Sequence, residues 1–243
     1  MRIGVIGAGN MGRTLARHLT KRGHHVSIAN SRGPESLTAL AAEIGATPVS
    51  VVDAAKAGDI VIIAIPTKAV PDLPRALFAN LPSSVVVVDI GNYHPELRDG
   101  RIDAIDRGML DSRWVAQQIG RPVIKAFNNI LAESLNEKGV PRGTRGRIAL
   151  SVFGDSSDTK ASVLRLVDDL GFDPVDPVDA GDLDNSWRQQ PGTPAYCRDL
   201  EATALRRALA EADPSRIAEY RAEREAQIRR SVAAQAPSGS PGQ

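Results

Sequence analysis

The chain of 243 residues carries one cysteine, Cys197, so neither an internal disulfide nor a paired-cysteine redox or zinc motif can form. That usage fits a reducing compartment, and a cytoplasmic location is the expectation. Aromatic residues are scarce, at 4%, which argues against stacking platforms for single-stranded nucleic acid. The net charge is +1 with no basic run, which argues against nucleic acid or an anionic membrane as partner. No apolar segment reaches transmembrane length, and the first residues already read as a strand rather than a signal peptide. Acid–base machinery is also thin. There is no Tyr-x-x-x-Lys pair of the short-chain dehydrogenase kind, no Lys-x-x-x-Asn placed on a helix after a glycine motif to suggest a 3-hydroxyacid dehydrogenase, no metal-binding cluster, and no second large helical domain.

What the chain does have begins at Met1. An apolar run from Ile3 to Ile6 leads into Gly7-Ala8-Gly9-Asn10-Met11-Gly12. A helical pattern follows with Met11, Leu15 and Leu19 on one face, then a second apolar run from Val26 to Ala29. Strand, glycine turn, helix and strand in that order make a βαβ dinucleotide-binding unit. Gly7 permits the tight turn, Gly9 lets a pyrophosphate approach the backbone, and Gly12 lets the helix sit close on the sheet. The helix N-terminus adds unpaired N–H groups and partial positive charge.

The end of the second strand selects the dinucleotide. An NAD site places Asp or Glu there for the ribose 2′-hydroxyl. This chain has Asn30-Ser31-Arg32 instead. A carboxylate would repel a 2′-phosphate, whereas a guanidinium and a hydroxyl bind it. NADP(H) is therefore the expected cofactor.

Further along, strand and helix patterns alternate. A helix starts at Gly33-Pro34 and ends at Gly45; a short one, capped by Ser50, runs to Ala57. Asp59–Ile65 reads as a strand buried on both faces, stopped by Pro66, with Pro66-Thr67 on the rim where such sheets bind ligands. A helix is expected over Pro71–Asn80, a strand over Ser84–Ile90, and a long loop from Pro95 to Arg107 with one short helix. A helix over Ser112–Ile119, strands over Val123–Phe127 and Ile148–Phe153, a helix over Ser156–Leu170 and a last strand over Phe172–Val178 complete the pattern. The class is α/β: a Rossmann-type, doubly wound, mainly parallel sheet with a C-terminal helical extension. The expected division is a NADP-binding domain over 1–180, a helical extension over 181–234 and a disordered tail over 235–243. In the extension, Asp199–Ala212 and Pro214–Val232 read as helices. The last has a weak apolar stripe (Ile217, Tyr220, Ile228, Val232), more suited to solvent or to bridging two chains in a homodimer than to a core.

The segments GAGNMG, NSR, AIP, GNY, KAFNN and VFGD, in that order, resemble the NADPH-dependent deazaflavin-coenzyme reductase family, the F420-dependent NADP reductases. The cytoplasmic domain of STEAP-type ferric reductases is similar. The likeness runs from Met1 to about Ser186 and implies a set of roles. Gly9, Asn10 and Met11 would cradle the pyrophosphate, and Ser31 and Arg32 would hold the 2′-phosphate. Ile65, Pro66 and Thr67 would line the adenosine and nicotinamide-ribose side, while Ala126, Phe127, Asn128 and Asn129 would bound the nicotinamide pocket. The archaeal members carry a histidine-containing segment where this chain has Lys125–Asn129, and the loop Gly91–Gly100, with Tyr93 and His94, also departs from them.

The residues leave three functions open. One is hydride transfer from NADPH to a flavin- or deazaflavin-like acceptor. A second is an NADP(H)-binding sensor that uses its C-terminal helices as an interaction surface. The third is a carbonyl or imine reductase whose acid is His94 or Lys125. The catalytic candidates are Asn92, His94 and Asn129. Asn92, Asn128 and Asn129 are neutral groups suited to orienting an amide or ring carbonyl. His18, His24 and His25 read as surface residues.

Overall fold

The computed structural model describes residues 1–177 and 181–235. Its centre is a six-stranded parallel sheet: β1 (Arg2–Ile6), β2 (His25–Ala29), β3 (Thr47–Pro48), β4 (Ile60–Ile63), β5 (Val86–Asp89) and β6 (Ile124–Lys125). The order is β3-β2-β1-β4-β5-β6, so the winding reverses beside β1. That reversal places a crevice over the carboxyl ends of β1 and β4, the ligand position of an open α/β sheet. A second parallel pair, β7 (Ala149–Ser151) and β8 (Asp173–Val175), joins it through one antiparallel bridge between Lys125 and Phe153. The last strand ends at Val175, short of Val178, which lies outside the described residues.

The central strands are aliphatic because both faces are covered. Ile60, Val61, Ile62 and Ile63 of β4 are 0 to 1% exposed, and each such side chain contributes about 1.5–3 kcal/mol by leaving water. The helices follow as α1 (Asn10–Lys21), α2 (Thr38–Ile44), α3 (Val51–Ala55), α4 (Arg75–Ala79), α5 (Asp103–Asp106), α6 (Asp111–Ile119), α7 (Ala132–Glu137), α8 (Ser157–Asp169), α9 (Ala202–Glu211) and α10 (Ile217–Gln235). Gly45 closes α2 in the left-handed region, and the Ser50 hydroxyl caps α3 by accepting from the Asp53 N–H.

Several expectations need correction. The helix expected over Pro71–Asn80 is a 3₁₀ turn over Thr67–Asp72 followed by the short α4. Pro71 and Pro74 lack the N–H a continuous helix would need. The loop after Pro95 is ordered by a π turn over Pro95–Asp99 and by α5. Helix α7 and strand β3 are additional. His24 is not simply a surface residue: it is half-buried, with Nδ1 3.2 Å from the amino terminus. On α10 the stripe is partial. Tyr220 and Glu225 are buried, Val232 is 65% exposed, and residues beyond Gln235 lie outside the description.

The carboxyl ends of β5 and β6 are held by one buried ion pair. Lys125 Nζ lies 2.9 Å from Asp89 Oδ2, with both side chains 2% exposed or less. Asp89 Oδ1 accepts the Gly91 N–H at 2.8 Å, and Asp89 Oδ2 also accepts the Ser112 hydroxyl at 3.0 Å. Lys125 in turn donates to the Gly91 carbonyl. Removing one charge from a buried pair strands the other. Asp89→Asn should therefore lower stability by about 3–5 kcal/mol in urea unfolding, and adding Lys125→Met should restore part of it. An Asp89→Asn midpoint equal to the parent's would contradict this account of the rim.

Candidate functional site

The glycine turn separates two requirements. Gly7 sits at φ +114°, where a side chain is strained, and a Cβ there would overlap the Ala64 carbonyl. A Cβ on Gly12 would overlap the Gly7 carbonyl oxygen and meet the Ala64 methyl at 3.2 Å. These two glycines are needed by the fold itself, because α1 lies against the β1 and β4 ends. Gly9 is different. It has an ordinary φ of −69°, and a Cβ there would meet nothing within 4 Å. The protein leaves open space at Gly9 that its own packing does not use.

Gly9 is also the N-cap of α1, and no side chain caps that helix. The first-turn N–H groups of Asn10, Met11 and Gly12 therefore point out of the helix end without an intrahelical acceptor. No acidic residue occupies that turn. Open space, outward N–H groups and a positive helix end fit a pyrophosphate.

Beyond β2, Asn30 shapes the turn that follows. Its Oδ1 accepts the Arg32 N–H at 2.9 Å and its amide nitrogen donates to Ser36 Oγ at 2.9 Å. Ser31 and Arg32 are left exposed at the strand end, with no acidic side chain between them. The turn thus offers a guanidinium and a hydroxyl, the donors that suit an anionic 2′-phosphate.

At the other end of the crevice, Ile65 and Pro66 are half-buried, and Thr67 is buried and donates to the Asn92 carbonyl at 3.2 Å. Asn92 and Asn128 interlock. Asn92 Nδ2 donates to the Asn128 carbonyl at 3.0 Å, and Asn128 Nδ2 donates to Asn92 Oδ1 at 3.1 Å. Ala126 is fully buried in the hydrophobic core, and its N–H donates to the Asp89 carbonyl at 3.4 Å. Phe127 is also fully buried and sits at φ +58°, a conformation rare for a bulky residue and concentrated at functional sites. Asn129 turns inward: its amide reaches Ser151 Oγ at 3.5 Å, and its carbonyl accepts the Cys197 N–H at 2.9 Å.

The two candidate acids are not free to donate protons. His94 is largely enclosed, with Nδ1 3.8 Å from Glu225. Burial, aided by Arg98, lowers its pKa to about 4, so its ring is neutral at pH 7. Lys125 is locked to Asp89 and the Gly91 carbonyl. The sequence reading did not single out Asp89, Ser112, Gln189 or Tyr196. Gln189, fully buried, takes Asn128 Nδ2 on its carbonyl at 2.9 Å and the Ser151 hydroxyl on its side chain. Only the buried strand end before Gly91 hinted at Asp89. Among the described residues no group of three His, Cys, Asp or Glu could hold a metal ion, and no helix is long and apolar enough to cross a membrane.

The contrast between Gly9 and Gly12 is directly testable. Gly9→Ala should melt within about 1 °C of the parent yet bind NADP+ at least about tenfold more weakly by calorimetry. Gly12→Ala should melt several degrees lower. Unchanged NADP+ affinity in Gly9→Ala would remove the pyrophosphate from this turn.

Comparison with known proteins bears on the same stretch. The model of the family described as "NADP oxidoreductase coenzyme F420-dependent" matches residues 2–93. The YjhV protein of Escherichia coli (strain K12) is 48% identical over 89 residues, which is 37% of this chain and 56% of that protein, so the match spans little more than half of its length. The crystal structure of hypothetical protein SMa0349 from Sinorhizobium meliloti is similar, with TM-score 0.67 and 31% identity over 83% of this chain and 96% of that one. A candidate F420-dependent NADP reductase from Arthrobacter sp. FB24 shares the fold, with TM-score 0.58 and 22% identity over 75% of this chain and 84% of that one. Glycine cradle, strand order and these matches agree: residues 2–93 carry the domain described as "NADP oxidoreductase coenzyme F420-dependent", and the chain is related over most of its length to SMa0349.

Proposed function

We propose that the protein is an NADP(H)-dependent oxidoreductase that passes hydride between the nicotinamide and a flavin- or deazaflavin-like ring. Gly9 and the α1 N-terminus hold the pyrophosphate, and Ser31 and Arg32 hold the 2′-phosphate. Thr67, Asn92 and Asn128 orient the amide-bearing end. The bound nicotinamide supplies the hydride.

The observation that carries this reading is the chemistry of the rim. Its uncharged polar groups are interlocked amides and a hydroxyl, its Lys125 and Arg98 are each paired with a carboxylate, and its histidine is held uncharged. Hydride transfer between two stacked rings needs orientation more than a proton donor. Reduction of a carbonyl or imine needs an acid in reach. His94 is neutral at pH 7 and Lys125 is enclosed with Asp89, so neither favours that alternative.

The test is loss of the reduced-nicotinamide absorbance with flavins, deazaflavins, ferric chelates and carbonyls as acceptors. Turnover is expected with a flavin or deazaflavin. His94→Ala should change that kcat/KM by less than about threefold, an effect under 1 kcal/mol. Turnover of a carbonyl or imine alone, abolished in His94→Ala, would overturn the reading.

A further inference from the structure

A cavity of about 580 Å³ lies outside the dinucleotide crevice, walled by residues of the segment 95–110, the start of α6 and the first turns of α10. None of the crevice residues Thr67, Asn92 and Asn128 lines it. That size suits one small molecule. Ile105, Met109 and Ile217 supply apolar wall, and Asp111, Gln190 and Arg221 supply polar groups.

Those three polar residues come from separate segments. Asp111 opens α6, Gln190 follows a 3₁₀ turn over Leu183–Gln189, and Arg221 lies on α10. Each keeps one buried polar atom that finds no partner among the described residues: Asp111 Oδ2, Gln190 Nε2 and Arg221 Nε. Asp111 and Gln190 are each 3% exposed, and the Arg221 side chain is largely enclosed. Buried polar atoms left unmatched are costly, and native structures pair nearly all of them. Three around one cavity point to an occupant.

The arrangement of the three defines its chemistry. Asp111 and Arg221 meet through a single contact, Oδ1 to Nη2 at 3.4 Å, where a guanidinium commonly grips a carboxylate through two. The pair therefore leaves an acceptor, Oδ2, and a donor, Nε, on two groups that already adjoin. Stacking on the Tyr93 ring, 4.8 Å away, holds the guanidinium in this position. Tyr93 is itself pinned, since its hydroxyl donates to Asp106 at 3.1 Å and accepts the Ile102 N–H at 2.8 Å. A cation that satisfied Asp111 would face Arg221, and an anion that satisfied Arg221 would face Asp111. A neutral group with an N–H beside a C=O satisfies both. The Gln190 amide can turn to present either its N–H or its carbonyl, so it suits the same group.

We propose that this cavity is a binding site for a small neutral carboxamide. The amide N–H donates to Asp111 Oδ2, the amide carbonyl accepts from Arg221 Nε, and the carbon skeleton lies against Ile105, Met109 and Ile217. The site is independent of which acceptor the crevice takes.

The probes are benzamide, benzoate and benzamidine, which share a ring and differ only in the group it carries. Each is titrated by calorimetry, up to millimolar concentration, into the protein with and without saturating NADP+. Benzamide should bind at least about tenfold more tightly than either ion, with the same affinity in both conditions. Ala218→Trp, at an exposed position on the cavity wall, should abolish benzamide binding and leave NADP+ binding unchanged. A crystal structure with benzamide should show its amide between Asp111 and Arg221. Equal or tighter binding of benzoate or benzamidine overturns the proposal, as does the absence of heat with all three probes. Benzamide that competes with NADP+, or that binds Ala218→Trp as it binds the parent, sits elsewhere and overturns it too. So does a benzamide-soaked crystal with only water between the two side chains.

Discussion

The constraint on which the structure turns is the close approach of α1 to the ends of β1 and β4. Three backbone segments converge where Gly7, Gly12 and Ala64 meet, and two of the three contacts leave no room for a Cβ. That approach aims the helix end along the crevice made by the strand-order reversal. Everything proposed for the dinucleotide follows from that placement: the phosphate end at Gly9, the 2′-phosphate turn at Asn30–Arg32 and the reacting end at Thr67, Asn92 and Asn128.

The opposite end of the crevice is fixed by charge rather than by closeness. Asp89 and Lys125 clamp the Gly91 peptide from both sides, its N–H by the carboxylate and its carbonyl by the ammonium. A buried ion pair is a poor source of net stability, because desolvation offsets most of the attraction. Its value here is geometric. It sets the direction in which the chain leaves β5, and so where Asn92 stands to meet Asn128. A second, largely enclosed pair, Asp111 with Arg221, ties α10 to the first turn of α6.

The glycine turn and the aliphatic strands could be read from the sequence because their physics is local: a turn, a cap and an apolar run lie within a few residues of one another. The boundaries were read less well. Pro71 and Pro74 cut a helix that the apolar spacing suggested, and the short strand Thr47–Pro48 has no pattern apart from its pairing with β2. The electrostatics could not be read at all. Lys125 finds Asp89 across 36 positions and Arg221 finds Asp111 across 110. Nothing in either segment alone announces its partner. Lys125 considered in isolation was a candidate proton donor; packed in the fold, it is a strut. His94 likewise changes meaning once burial holds its ring neutral.

The central claim is that this crevice takes a nicotinamide dinucleotide bearing a 2′-phosphate. The most direct measurement is titration calorimetry of the parent protein and of Arg32→Ala with NADP+ and NAD+. The account predicts that the parent binds NADP+ at least about tenfold more tightly than NAD+, a difference of ~1.4 kcal/mol, and that Arg32→Ala removes most of this preference. Equal affinities in the parent, or no heat with either dinucleotide, would contradict it.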